Sequence, residues 1–160
     1  MSMNRRDWLM LAGWVALSEA AGVVGSYFTV SSIAPWYATL MRPALSPPNW
    51  LFGPVWVGLY LLMGIAAFLV WRSRGRPLAR RKALLVFGLQ LALNALWSVL
   101  FFGLHSPLMG LLCIAALWLA IVLTISRFAK VSRTAAWLLA PYIVWVSFAA
   151  YLNLMIWLLN

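Results

Sequence analysis

The sequence predicts an all-α integral membrane protein, a bundle of five transmembrane helices in a single domain spanning residues 1–160. Three observations predict it. Hydrophobic residues make up 66% of the chain and charged residues only 9%, whereas soluble domains carry roughly a quarter charged residues. The apolar residues fall into five runs, each near the roughly 20 residues that a helix needs to cross a hydrocarbon core. The basic residues stand in the connections between runs, and eleven of the twelve fall on one side of a five-span arrangement.

The first run covers about 8–28. Arg5 and Arg6 precede it, and Ser18-Glu19-Ala20 offers small residues of the kind found at a leader cleavage site. The apolar pattern continues through Val23, Val24 and Tyr27, so the run reads as a membrane span and not a cleaved leader. Ala12, Ala16 and Ala20, with the pairs Gly22/Ser26 and Ala21/Gly25, give the small-residue spacing that lets helices approach closely.

Between this run and the next lies Pro35 to Tyr60, which holds five of the eight prolines, three of the eleven tryptophans and two of the five tyrosines. Proline fixes its own φ and restrains the residue before it, so Pro43, Pro47 and Pro48 predict a rigid, mostly extended loop. Trp36, Tyr37 and Trp50 read either as an aromatic belt at the membrane interface or as the lid of a site. Pro48-Asn49-Trp50 then opens the second run, about 51–71, with Pro54 inside its first turns.

The third run, about 83–104, follows the basic turn Arg72 to Lys82. The fourth, about 108–128, follows the short His105-Ser106-Pro107 connection, which makes the two an antiparallel pair. The fifth, about 134–159, carries Pro141 as an expected kink.

The side with Arg5, Arg6, the second connection and the fourth connection holds all basic residues except Arg42. Under the positive-inside rule this predicts a cytoplasmic amino terminus, with the proline-rich loop and the carboxy terminus at Asn160 outside. The net charge of +10 therefore reads as topology, and nucleic acid is not an expected partner. The lipid bilayer is. The single cysteine, Cys113, excludes an intrachain disulfide.

Helix periodicity gathers polar and aromatic residues on a few faces. Gln90, Asn94, Trp97 and Phe101 form one stripe of the third helix; Tyr142, Trp145, Ala149 and Asn153 form one of the fifth; Trp56 and Tyr60 share a face of the second. Amides in hydrocarbon need partners, so these faces are expected to point inward. They either bond neighbouring helices or line a pocket beneath the loop, and three convergent stripes favour the pocket.

Trp36-Tyr37, Pro43, Pro47-Pro48, Trp50, Phe52, Pro54, Trp56 and Leu59-Tyr60, followed by Gln90-Leu91, Asn94, Trp97-Ser98 and Phe101-Phe102, and then by Pro141-Tyr142, Trp145, Phe148-Ala149 and Leu152-Asn153, resemble the TspO/MBR family. These are the tryptophan-rich sensory proteins related to the mitochondrial translocator protein. The resemblance spans nearly the whole chain. It implies a five-helix bundle in a bacterial cell membrane, often a homodimer, that binds tetrapyrroles such as protoporphyrin IX and haem, and isoquinoline- and benzodiazepine-type ligands. No obligatory cofactor is implied.

By the same resemblance, Tyr37, Pro47, Trp56, Asn94, Trp145 and Ala149 are the ligand-contacting residues, to which the helical stripes add Trp97 and Tyr142. Trp56 and Trp145 would stack on the macrocycle and Asn94 would supply a hydrogen bond. Two positions depart from the pattern. Ala44-Leu45-Ser46 stands where many relatives carry loop tryptophans, and Glu19 stands where relatives tend to have small or apolar residues.

Glu19, in mid-span, is an ionisable group in hydrocarbon and so a functional candidate, or else a buried neutral acid. His105 reads as an exposed turn residue and not as a haem ligand. The residues after Tyr151, LNLMIWLLN, lack the basic residue of the proposed cholesterol motif of the mammalian relatives. Gly88 and Ala92 offer a small-residue face for a dimer.

Three functions remain open: a tetrapyrrole-binding regulator or sensor, a transporter of porphyrins or other hydrophobic molecules, and a light-dependent porphyrin-degrading enzyme. No inverted repeat favours the second. No nucleophile, metal set or acid/base pair favours the third, so no catalytic or metal-binding residue is assigned.

Overall fold

Helix α1 runs from Arg5 to Ile33 and begins in a reciprocal cap. The Asn4 side chain accepts from the Asp7 backbone N–H at 2.8 Å while the Asp7 carboxylate accepts from the Asn4 N–H at 3.3 Å, satisfying two of the free N–H groups at the helix start. The computed structural model describes residues 3–75 and 77–160; of the basic residues counted for orientation, Arg76 lies outside them. The helix extends beyond the expected end near residue 28. Its polar last turns are stable in place because Thr29 and Ser31 donate to carbonyls one turn back, and Ser32 reaches across to the Phe102 carbonyl at 2.8 Å.

The loop is less extended than its prolines predict. Tyr37–Thr39 forms a 3-10 turn, and the Ser46 N–H bonds the Pro43 carbonyl at 3.0 Å to close a second turn. Helix α2 covers Asn49–Arg72. Pro54 is its sixth residue, beyond the first four N–H groups that need no helical partner, so the Trp50 carbonyl lacks the N–H that would ordinarily donate to it.

Helix α3 covers Pro77–Ser98 and starts earlier than expected because Pro77 is preorganised for a first helical position. It continues into a wide π turn over Val99–Gly103, in which the Leu104 N–H bonds the Val99 carbonyl at 2.8 Å. His105 follows with φ 52. Helix α4 covers Pro107–Ala129, with Ser106 as its cap. The fifth span is two helices, α5 over Arg133–Leu138 and α6 over Ala140–Leu159. The break sits at Leu139, where the expected Pro141 kink resolves into a new helix start with Pro141 in its first turn.

Among the described residues five helical stretches are long and apolar enough to cross a membrane: α1, α2, α3 with its π turn, α4, and α5 with α6. Helix α1 packs on α2 and α3, α3 packs on α4, and α4 packs on α6. The crossing of α1 and α2 is close. A Cβ on Gly64 would lie 2.5 Å from the Val15 Cα and 2.9 Å from its N, so only glycine lets the backbones approach this far. The main core is built from α2, α3, α4 and α6 around Met63, Phe87, Leu117, Ile121 and Tyr142, all buried. A smaller cluster at one end joins Tyr37, Phe101, Phe102 and Ile156.

Two contacts show which connections share a side of the bundle. Asp7 pairs with Arg72 at 3.4 Å, and Arg6 sits over the Trp71 ring, so the amino terminus and the α2–α3 turn lie together. At the other end the Asn160 side chain accepts from the Met41 N–H at 3.0 Å and donates to the Met41 carbonyl at 3.1 Å. The carboxy terminus thus clasps the proline-rich loop.

Candidate functional site

The inward stripes meet as the helical spacing predicts. Gln90, Asn94, Tyr142 and Asn153 are all buried, and each is bonded. Tyr60 Oη donates to Asn94 Oδ1 at 2.5 Å, Asn94 Nδ2 donates to Tyr142 Oη at 2.8 Å, and Tyr142 Oη donates to Gln90 Oε1 at 2.8 Å. One chain of hydrogen bonds therefore links α2, α3 and α6 through the middle of the bundle. Gln90 Nε2 ends it at the Met63 sulfur, 3.7 Å away. Asn153 works separately, accepting from Trp97 Nε1 at 3.0 Å and donating to the Pro107 carbonyl at 2.7 Å. It ties α6 to α3 and to the start of α4.

Beside this chain lies a cavity of about 420 Å³ between α1, α2, α3 and α6, within the range of small-molecule sites. Trp56, Asn94, Trp97, Trp145 and Ala149 line it, together with Phe52, Tyr60, Ser98 and Phe102. Trp56 stacks on Tyr60, with ring centroids 5.5 Å apart, and meets Tyr142 edge-on; Trp145 meets Phe52 edge-on at 6.0 Å. Val23, Val30, Trp50 and Val57 stand at its edge and are exposed. The cavity therefore opens between α1 and α2 on the apolar outer surface.

Three of the eight residues read from the sequence stand elsewhere. Tyr142 is fully buried behind the wall, where it positions Asn94. Tyr37 is neither a wall residue nor part of an exposed belt: it is 5% exposed, packed on Phe101 and Phe102, with the Arg42 guanidinium over its ring at 5.3 Å. Burial pushes its phenol above the ordinary tyrosine range, and Arg42 opposes that shift. Pro47 lines a second, polar hollow under the loop with Leu40, Arg42, Pro43 and Ser46. The two hollows share Asn49 and Trp50.

The α1 wall is the part that stripes of polar and aromatic residues do not reveal. Gly22, Gly25, Ser26 and Thr29 line the cavity. Gly22 faces the Tyr60 ring, which occupies the space that a Cβ would need, and a Cβ on Gly25 would lie 2.9 Å from Ser98 Oγ. The small residues that read as packing spacers also shape the wall. Glu19 lines the same wall and is the only acidic or basic residue among the described residues that do so. His105 is an exposed turn residue as expected, stacked on Trp36 with centroids 4.6 Å apart.

The sequence profile of the TspO/MBR family matches residues 14–158. The chain is 45% identical to the tryptophan-rich protein TspO of Chlorobaculum tepidum, covering 99% of both chains. It is 48% identical to the protein of that name from Archaeoglobus fulgidus, covering 95% of this chain and 97% of the relative. It is also 36% identical to the translocator protein of Homo sapiens, covering 94% and 89%. With five spans of this length and composition and a match over nearly all of its residues, the chain is a multi-pass integral membrane protein and belongs to the TspO/MBR family.

Proposed function

We propose that this protein is a membrane receptor for tetrapyrroles such as protoporphyrin IX and haem, and for isoquinoline- and benzodiazepine-type aromatic ligands, with a sensory or translocating role. The observation that carries the proposal is the 420 Å³ cavity walled by Trp56, Trp97 and Trp145. Flat aromatic walls with few polar groups suit a large planar apolar ligand. Names of relatives agree in kind: translocator protein, and the tryptophan-rich sensory protein of Cereibacter sphaeroides.

Stacking, not iron ligation, is the mode of binding proposed here. Among the described residues lining the cavity there is no His, Cys or Met. Asn94 has a smaller part than the resemblance implies, since its oxygen and its nitrogen are each bonded to another helix. The amino terminus is proposed to be cytoplasmic in a bacterial cell membrane, on the distribution of basic residues. The test is a titration of the protein in lipid nanodiscs with protoporphyrin IX, followed by tryptophan fluorescence. Saturable quenching that competes with an isoquinoline ligand supports the reading; unsaturable quenching equal to that of free tryptophan overturns it.

A further inference from the structure

We propose that the cavity selects aromatic amphiphiles that carry a protonated amine, the ammonium pairing with Glu19 and the aromatic body lying against Trp56 and Trp145. This rests on the cavity being a ligand site, and adds a charge requirement that tetrapyrrole binding does not contain. Glu19 is the fifteenth residue of the 29 in α1, so at 1.5 Å per residue it stands about 21 Å from either end of the helix. That is mid-bilayer depth, beyond the reach of headgroup amines.

Among the described residues Glu19 has no ion pair and no hydrogen bond; the ion pair observed there joins Arg72 and Asp7. Among the described residues the basic side chains stand in connections or within the first or last two turns of a helix. A carboxylate held in an apolar cavity without a cation is costly, and a cation delivered by a ligand removes that cost.

The remaining half of the recognition set lines the same cavity. Gly22 is one turn after Glu19 on the same helical face, and Gly22 abuts the Tyr60 ring, on which Trp56 stacks. A carboxylate sharing a cavity with aromatic rings is the arrangement that binds ammonium groups through both charge and ring quadrupole. Glycine at position 22 lets the Tyr60 ring pack against α1 one turn from Glu19.

The experiment is isothermal titration of the protein in phosphatidylcholine nanodiscs, with empty nanodiscs subtracted, using naphthylethylamine and its neutral counterpart naphthylethanol. The amine is expected to bind about tenfold tighter, as a charge-assisted bond requires. Glu19→Gln keeps the shape of the wall and is expected to erase that difference. Equal binding of the two probes by the unaltered protein, a preference that survives Glu19→Gln, or no binding of the amine overturns the inference. Protoporphyrin IX titrated into the same preparation separates the two readings. If it binds while the amine preference is missing, only the role of Glu19 fails; if it does not bind while the preference holds, only the tetrapyrrole assignment fails.

Discussion

Tyr60 and Asn94 are joined by a 2.5 Å hydrogen bond from phenol to amide oxygen, and the same amide passes on to Tyr142. Replacing Asn94 with Leu leaves the Tyr60 hydroxyl without its acceptor and removes a partner from Tyr142. Each buried polar group left unpaired costs about 1–3 kcal/mol. Asn94→Leu is therefore expected to lower unfolding stability in detergent by about 2 kcal/mol, with a smaller effect on ligand affinity per folded molecule. Unchanged stability with lost affinity would return Asn94 to the role of ligand contact.

Trp56→Phe and Trp145→Phe probe the cavity wall. Each keeps an aromatic face, so the fold is retained, and porphyrin affinity is expected to fall by about 1 kcal/mol per ring. Binding measured by fluorescence, beside thermal unfolding of the same variants, checks this. Both affinities staying at the unaltered value would show that the rings do not meet the ligand.

Gly64→Ala tests the crossing of α1 and α2. The added methyl meets the Val15 backbone, which has no rotamer to change, so a loss of about 1–3 kcal/mol is expected. Gly88→Ala is the control: nothing lies within 4 Å of its Cβ position, and stability should hold or rise slightly. Equal melting temperatures for the two variants would contradict the close crossing.

A reporter fused after Asn160 should read as outside the cytoplasm, because all basic residues but Arg42 fall on the opposite side. A cytoplasmic signal from a validated fusion contradicts the orientation.

Much of this architecture was legible in the residues because two signals are strong in hydrocarbon: length of apolar run and the cost of an unpaired amide. Gln90, Asn94 and Asn153 had to turn inward, and they did. What they do there was not legible. Spacing along one helix does not say whether an amide meets a ligand or another helix, and Asn153 turned out to bond Trp97 and the Pro107 carbonyl. The extra turns of α1 were missed because Thr29, Ser31 and Ser32 look like a helix end until their hydroxyls are seen bonded to backbone. Tyr37 was legible only as a loop aromatic, a ligand contact by the resemblance or else a belt residue, because nothing next to Trp36 marks the Phe101–Phe102 cluster that packs on it.

The π turn at Val99–Gly103 acts as a phase adjuster. Successive residues of a regular helix point about 100° apart; the wider turn carries Phe101 and Phe102, both buried at 2% and 8% exposed. The π turn holds one residue more than the regular turn it replaces, whereas taking one residue out of the regular part of α3 would rotate all that follows by about 100°. The His105 ring would then leave Trp36, and Ser106 would cap α4 from the wrong direction. Ala44-Leu45-Ser46, in the loop, sets no such phase, so the chain should accept a change of length there far more readily than in the regular turns of α3.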